Sequence, residues 1–286
     1  MSQEQGRQFL QTLPQVQKEL PISPAVLAEL FQQTQTDSRS SLHKISETLG
    51  QDQALATKVL TRANSAYYGF ESRISSLSRA TTLLGLSELR KIILGINLSA
   101  LARMLPQKTR FDLQDYWRHH SFTAIMAREL ASFLKLNDPE DLFTMGLLHD
   151  VGKLITAIYV PGSWTEIQNM AEKKGISDFQ AETEFWGIDH ALIGAMTLRL
   201  WYFPQELTET INWHHTPELA GEKHQKKARI LAIANHTARQ MQQSLGPGTD
   251  TSSHRELELS PEFTQKKAHE IWTGSALQEL ENMLSQ

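Results

Sequence analysis

The chain has 286 residues, a formal net charge of −4 and no cysteine. This length allows one large domain or two modest ones, each able to bury a core. A direct nucleic-acid binder needs a basic face, which the acidic balance argues against, and the lack of cysteine excludes disulfides, thiolate metal sites and cysteine nucleophiles. The sequence shows neither a signal peptide nor an apolar run of the roughly 18 residues that a membrane span needs. We therefore expect a cytoplasmic protein outside the membrane.

The first hundred residues predict a bundle of short helices and no strand. Pro24 suits a first helical turn, and Gly50 and Gly85 suit helix ends. Apolar residues recur at helical spacing between these signals. The predicted helices run from Ser23-Pro24 through Phe31, from Ser40-Ser41 to Gly50, from Leu55 to Ala63, from Ser76 to Leu84 and from Ser87 to Met104.

A long helix is predicted next, capped by Asp112 and reaching about Leu136. It carries Asp115 and His119 one turn apart, so both side chains lie on one face. Asp115 can serve a metal site near His119. It can also simply satisfy the free N–H groups and the positive dipole of the first turn.

The stretch Met145–Leu154 carries the strongest chemical signal in the chain. Its apolar residues take a helix into the interior and end it at the adjacent pair His149-Asp150, followed by Gly152 and Lys153. Burying an imidazole beside a carboxylate is costly unless each is hydrogen-bonded, paired or bound to a metal. The pair can place one nitrogen and one oxygen on a single ion, or bridge two ions through the carboxylate.

Further histidines follow at predicted helix ends. Asp189 opens a helix with His190 in its first turn, and the next helix ends at His214-His215. A later helix from about Lys226 carries Asn235 and His236. For His215 and His236, capping of a helix end is the alternative to ligand binding. Solvent exposure is expected for the remaining histidines in polar surroundings, which are His43, His224, His254 and His269.

The segment from Gly246 to Ser260 is rich in Gly, Ser, Thr and Asp, and predicts a loop or a disordered stretch. Two short helices should follow it.

The histidine and aspartate candidates that point inward can meet at one centre, and without cysteine such imidazole and carboxylate sets suit Fe, Mn or Zn. Water bound between two such ions becomes a hydroxide nucleophile near neutral pH, which is the chemistry of phosphohydrolases.

Several stretches resemble the HDOD family, a divergent branch of the HD superfamily found in bacterial signalling. They are Gln51 to Leu55, Leu60 to Gly69, Ile74 to Leu77, Ala80 to Leu86, Met145 to Lys153 and Trp213 to Pro217. The resemblance implies an all-α fold with an N-terminal helical bundle, residues 1–108, packed on an HD-type helical domain, residues 109–245, before a loop and C-terminal helices in 246–286. For Asn64-Ser65 we expect a structural role in a helix C-terminal turn.

The order of the site residues also resembles the HD phosphohydrolases, especially the HD-GYP phosphodiesterases of cyclic di-GMP. The resemblance places Asp115 where those enzymes have a glutamate, and Lys153 where a lysine contacts the substrate phosphate. Asn235 falls where the last aspartate of the pattern would stand, so it offers only a neutral oxygen. Residues 216–219 replace the Gly-Tyr-Pro segment. The implied metal ligands are His119, His149, Asp150, His190, His214 and His215, with Asp115 and Asn235 beside them.

We expect a bacterial regulatory protein that keeps a mono- or dinuclear site for Fe, Mn or Zn. It would act through signalling protein partners or through a bound nucleotide or phosphate ligand. The competing interpretation is an active metal-dependent phosphohydrolase in which Lys153 and Asp150 are catalytic. The ligand set favours the enzyme, whereas Asn235 and the missing Gly-Tyr-Pro segment favour the regulator. A third interpretation is a structural scaffold with an empty polar cleft.

Overall fold

The computed structural model describes residues 3–16, 24–34, 38–65, 68–70, 72–243 and 251–285. Within these ranges the chain forms α-helices and one short 3₁₀ turn, with no strand, so the all-α prediction is confirmed. None of the described helices combines the length and the apolar character needed to cross a membrane.

Among the described residues five helices come first: α1 (Gln3–Val16), α2 (Pro24–Gln33), α3 (Leu42–Gly50), α4 (Gln53–Ala63) and α5 (Leu77–Ala102). Helices α2 to α5 pack together as the N-terminal bundle, whereas α1 packs against helices of the second half. Side-chain caps begin three of them, since Ser41, Asp52 and Ser76 accept hydrogen bonds from first-turn N–H groups. The predicted break at Gly85 is confirmed as a kink within α5, where φ is 74°. Glycine reaches this positive φ without the steric cost that a Cβ atom brings.

The second half begins with eight helices: α6 (Leu113–Phe133), α7 (Pro139–Leu148), α8 (Val151–Tyr159), α9 (Pro161–Lys174), α10 (Asp178–Trp186), α11 (His190–Leu200), α12 (Gln205–Asn212) and α13 (Glu222–Gln243). The chain then forms α14 (Thr251–Glu256), α15 (Pro261–Thr273) and α16 (Ser275–Ser285). The predicted caps Asp112 and Asp189 are confirmed, because each accepts from a backbone N–H in the first turn of its helix.

Helix α6 lies at the centre of the second half and packs against α7, α13, α15 and α16. Helix α8 packs against α11, and α16 also reaches back to α5. One continuous apolar core runs from Phe9 in α1 to Leu284 in α16. This packing holds α6, α7, α8, α11 and α13 around one interior point, where the candidate site lies. The division into three segments at residues 108 and 245 stays a prediction.

Arg90 joins the N-terminal bundle to the HD-type part. Its side chain is buried, and Nη1 lies 3.2 Å from Asp141 Oδ1 at the start of α7. The same guanidinium donates to the carbonyl oxygen of Thr34 after α2. Desolvation lowers the pKa of Arg90 against the opposing effect of Asp141. Because breaking a buried pair leaves one charge without compensation, this bridge fixes the two parts against each other.

Several sequence predictions are corrected by the structure. Helix α1 was not predicted, and α14 lies inside the segment 246–260 that the composition predicted to be a loop. His224 and His254 are buried rather than solvated. His236 lies within α13 rather than at a helix end. The predicted cap Ser23, residues 66 and 67 of the family-like motif and residues 246–250 fall outside the described residues.

The prediction for Asn64 is confirmed. The residue ends α4, and its amide nitrogen donates to the carbonyl oxygens of Leu60 and Ile74 at 2.7 and 2.8 Å. Its Oδ1 accepts from the Ile74 N–H at 2.7 Å. A side chain that satisfies three backbone groups in this way closes a turn, so its role here is structural.

Candidate metal centre

The His149-Asp150 pair lies at a junction between two helices. Helix α7 ends at Leu148, and α8 begins at Val151, so the pair occupies the turn between them. Both side chains are fully buried. Helix α11 crosses α8 close to this turn and brings His190, its first residue, beside Asp150. The turn between α7 and α8 and the packing of α8 on α11 therefore bring these polar side chains together.

Two groups of side chains can hold an ion, and both include Asp150. The His190 donor group consists of Asp150, His190, His214 and His215, and the His119 donor group consists of His119, His149 and Asp150. Within each group the ligand atoms all lie within 4.8 Å of one another. The structure thus brings together all six residues that the family resemblance implies as ligands.

Asp150 is the geometric centre of the site. Its Oδ1 lies 3.0 Å from His190 Nε2, 3.3 Å from His149 Nε2 and 3.5 Å from His214 Nε2. Its Oδ2 lies 3.8 Å from His119 Nε2. One carboxylate therefore faces both donor groups, as a bridging ligand does.

The histidines are oriented so that Nε2 faces inward. His149 Nδ1 lies 2.8 Å from the Gly146 carbonyl oxygen, and His214 Nδ1 lies 2.7 Å from that of Ile211. A carbonyl oxygen only accepts, so each Nδ1 carries a proton and donates it there. This leaves the Nε2 lone pair of a neutral ring directed at Asp150, which is the orientation that metal-binding histidines adopt.

Burial keeps most of these rings neutral. It lowers the pKa of His119 to about 3 and holds the pKa values of His149 and His215 well below the ordinary range. His190 differs: burial lowers its pKa, but the carboxylates of Glu182 and Asp150 outweigh that effect and raise it to about 9. Neutral imidazoles are the form that binds a metal ion, and metal binding at His190 would release a proton.

The donor set fits a cation better than it fits an ordinary polar core. Asp150 Oδ1 and His214 Nε2 are buried, and neither makes a hydrogen bond within the described residues. His119 Nδ1 donates to Gln242 Oε1, which leaves a lone pair on Nε2 of the neutral ring. This lone pair faces Asn235 Oδ1 at 3.0 Å and His149 Nε2 at 3.3 Å, which are acceptors as well. Buried acceptors are costly without a donor or a cation. An ion of the Fe, Mn or Zn class would satisfy them together.

Lys153 places a positive charge at the edge of the centre. Its Nζ lies 2.9 Å from Asp150 Oδ2 and 2.8 Å from Asp178 Oδ2. Burial lowers the pKa of Lys153, but the two carboxylates more than offset this and raise it. The pKa of Asp150 is also shifted: burial acts to raise it, whereas His149, Lys153 and His190 hold it well below its usual range.

Asp115 lies outside both donor groups, in an exposed position. Its Oδ1 accepts from Gln242 Nε2 at 2.7 Å, and Gln242 Oε1 in turn lies 2.9 Å from His119 Nδ1. Asp115 therefore reaches His119 through an amide rather than directly. Asn235 is buried in α13, and its contact with His119 Nε2 places it beside the His119 donor group.

Sequence reasoning missed Glu182. This fully buried carboxylate accepts from His190 Nδ1 at 2.6 Å and from the His190 backbone N–H at 2.8 Å. It lies eight residues before His190 on another helix, and no local pattern distinguishes it from the exposed Glu184 on α10. Asp178, His120 and Gln242 were missed for the same reason, since only the packing of separate helices brings them to the site.

We expect Glu182→Gln to weaken metal binding by about 10- to 100-fold, the usual effect of losing a carboxylate behind a metal-binding histidine. The amide can still accept from His190 Nδ1, but it removes the charge that makes the ring a better donor. Competition between the protein and a chelating dye for Zn²⁺ or Mn²⁺ measures the affinity. Glu184→Gln, on the exposed side of the same helix, is the matched control. Equal affinities for both variants would contradict a role for Glu182 behind His190.

Comparisons with known proteins agree with this fold. A family model for the HDOD domain matches residues 20–217. A candidate phosphohydrolase from Shewanella amazonensis SB2B is 28% identical with a TM-score of 0.69, and the alignment covers 96% of this chain and 98% of that one. A candidate signal transduction protein from Marinobacter aquaeolei VT8 is 25% identical with a TM-score of 0.77, over 94% of this chain and 60% of the other.

A third solved structure, an HDOD domain protein with unknown function from Geobacter sulfurreducens, supports the fold alone. It is 21% identical, has a TM-score of 0.73 and covers 95% of this chain and 97% of its own. Among curated sequences, an uncharacterized protein from Treponema pallidum (strain Nichols) is 26% identical over 77% of this chain, which spans only 42% of that protein's length. The family match covers well over half of the chain, and the chain therefore belongs to the HDOD family.

Proposed function

We propose that this chain is a signalling module that holds one divalent metal ion and acts by binding a ligand or a protein partner rather than by turnover. The His190 donor group would hold the ion, because it offers three imidazoles and the Asp150 carboxylate. Fe, Mn and Zn suit that set, and such an ion supplies Lewis acidity and can activate water. The signalling role agrees with the Marinobacter relative.

Asn235 carries the argument for binding without turnover. Its neutral Oδ1 lies 3.0 Å from His119 Nε2, in the donor group that contains only one carboxylate, Asp150. That carboxylate is shared with the His190 donor group, and its Oδ2 already has the Lys153 ammonium 2.9 Å away. A second divalent cation would meet one shared negative charge and a nearby positive one. The His119 donor group is therefore the weaker of the two.

The test is the metal content of protein purified without chelators or metal-affinity columns. We expect about one ion per chain in the wild type, and Asn235→Asp should raise the content toward two, because an added anionic oxygen tightens binding. Asn169→Asp is the matched control, since it adds the same charge at an exposed position on α9. Two tightly bound ions in the wild type, or no response to Asn235→Asp, would contradict the proposed asymmetry.

A metal-dependent phosphohydrolase is the second candidate function. It is favoured by the Lys153 ammonium, which lines a cavity beside Asp150 and His119, and by the name of the Shewanella relative. We expect no appreciable hydrolysis of cyclic di-GMP or simple phosphodiesters by the wild type with Mn²⁺ or Fe²⁺. Robust hydrolysis that disappears in both His149→Ala and Lys153→Ala would establish the enzyme instead.

A further inference from the structure

A second cavity, of about 490 Å³, lies away from the metal centre, between α4, α5, α6, α7 and α16. Its volume falls in the range of small-molecule sites, roughly 300–1,000 Å³. None of the residues that line it belongs to either donor group. One wall is the C-terminal helix α16, which lies beyond residues 20–217 that the family model matches.

Part of the wall is apolar. Ile125 lines the cavity from α6, and Leu280 and Met283 line it from α16. These side chains also belong to the core or pack against it, so their positions are fixed by the fold. Apolar surface of this kind is covered favourably by the apolar body of a ligand, because both surfaces leave water.

Positive charge is concentrated at one place in the wall, the ring of Phe143. Lys91 Nζ lies 5.2 Å from the centre of that ring, and the guanidinium carbon of Arg128 lies 5.5 Å from it. The side chains of Lys91 and Arg128 are 19% and 26% exposed, so both cationic groups remain accessible. The cavity therefore has a cationic end beside its apolar surface.

The protein's own carboxylates leave part of this positive charge uncompensated. The charged residues that line the cavity are three cations, Arg62, Lys91 and Arg128, and two acids, Glu88 and Glu279. Glu88 is already engaged, because Oε1 accepts from the Tyr68 hydroxyl at 2.7 Å and Oε2 from Lys91 Nζ at 3.3 Å. The lining thus carries one net positive charge.

Arg128 is the cation best placed for a ligand. Its nearest carboxylate oxygens belong to Glu140 and Glu129, at 3.7 and 3.8 Å, and both distances are too long for a hydrogen bond. A guanidinium can hold one carboxylate through two parallel N–H···O bonds. A ligand carboxylate at the cationic end would give Arg128 the close acceptor that Glu129 and Glu140 do not supply.

We propose that this cavity binds an amphipathic monocarboxylate, a free medium-chain fatty acid. Arg128 would donate to the carboxylate, and the apolar chain would lie against Ile125, Leu280 and Met283. The single negative charge of the ligand matches the net charge of the lining. The inference goes beyond the proposed function, because the site needs no metal ion.

The experiment is calorimetric titration of the full chain with decanoate, decanol and acetate, each below any concentration at which it forms micelles. We expect decanoate to bind at least about tenfold more tightly than decanol, since only decanoate forms a charge-assisted pair with Arg128. Acetate, which lacks the apolar chain, should show no measurable binding. Decanoate should also slow amide hydrogen exchange in α16, because that helix forms one wall.

Variants separate the two parts of the site. Arg128→Gln should weaken decanoate by about tenfold or more and leave decanol unchanged. Ala276→Phe adds a ring at an exposed position of α16 that lines the cavity, so it should weaken both ligands. Arg110→Gln is the matched control, because that exposed guanidinium lies outside this cavity and pairs with Glu172 at 2.9 Å.

Thermal unfolding of each variant checks that it folds. If Arg128→Gln does not fold, Arg128→Lys takes its place. Lysine keeps the charge but cannot form the paired bonds, so decanoate should again bind more weakly than to the wild type.

Three results would overturn the inference: no decanoate binding, equal binding of decanoate and decanol, or a folded Arg128→Gln protein that binds as the Arg110→Gln control does. A wild-type mass that rises with concentration in light scattering, and does not rise in Ala276→Phe, would overturn it in favour of a second copy of the chain. Decanoate binding by protein without metal would support the inference and count against the proposed function alone.

Discussion

Replacing Gly152 by alanine is expected to remove more than about 4 kcal/mol of folding stability, beyond the usual cost of overpacking a core. A Cβ atom at this position would lie 2.0 Å from the His190 carbonyl oxygen and 2.8 Å from the Gly194 nitrogen. Both atoms belong to the backbone of α11, which cannot move aside as a flexible side chain can. The variant should therefore separate α8 from α11, and with them Asp150 from His190.

Urea unfolding and the yield of folded protein measure this effect, with two other glycines as graded controls. In Gly194→Ala the added Cβ atom would lie 3.2 Å from its nearest atoms, so we expect a smaller loss of folding stability. Gly162→Ala, in α9, meets nothing within 4 Å and should stay within about 1 kcal/mol of the wild type. A Gly152→Ala protein as stable as the Gly162→Ala protein would show that the close packing of α8 on α11 does not require glycine at residue 152.

The helices that carry the site could be predicted because their ends have local chemistry. Asp112 and Asp189 accept hydrogen bonds from the N–H groups that begin α6 and α11, and these signals need no knowledge of the tertiary fold. The pair His149-Asp150 could be recognised because burying both groups requires compensation. Such signals are confined to a few neighbouring residues, which is why they can be read from the sequence alone.

Helix α1 could not be predicted in the same way. It is rich in glutamine and contains Pro14, and its stability comes from packing on α10 and α11. Phe9 stacks on Trp186 with 5.3 Å between the ring centroids, a contact that joins residues far apart in the sequence. Tertiary packing, more than intrinsic propensity, stabilises a helix of this kind.

The residues that contact the candidate metal ligands could be identified only from the structure, for a related reason. Glu182, His120 and Gln242 are distinguished by what their polar atoms contact or fail to contact. Helix period and composition describe which face of an element is buried, but they do not say which atoms of another helix lie opposite. The candidate ligands could therefore be proposed from spacing and resemblance, whereas the side chains that orient them or shift their pKa values could not.

Asp150→Asn is expected to have the largest effect on metal binding, with a loss of affinity of more than about 100-fold. This exceeds the loss that is usual for residues which contact a metal ligand but not the metal itself. Asp150 is the one carboxylate in each donor group, and the amide has nearly the same shape without the charge. Metal content after purification without chelators is the measurement. The matched control is Asp178→Asn, which removes the other carboxylate at Lys153 and leaves both donor groups intact.

The same substitution should also destabilise the metal-free protein, measured by urea unfolding in a chelator. Asp150 lies 2.9 Å from Lys153 Nζ and 3.0 Å from His190 Nε2, and removing one partner of a buried ion pair costs about 3 kcal/mol or more. Asp178→Asn should cost less, because its side chain is 27% exposed and water can replace it at Lys153. If Asp150→Asn kept its metal and matched the Asp178→Asn protein in stability, Asp150 would be an ordinary buried carboxylate. The two donor groups would then have no common ligand.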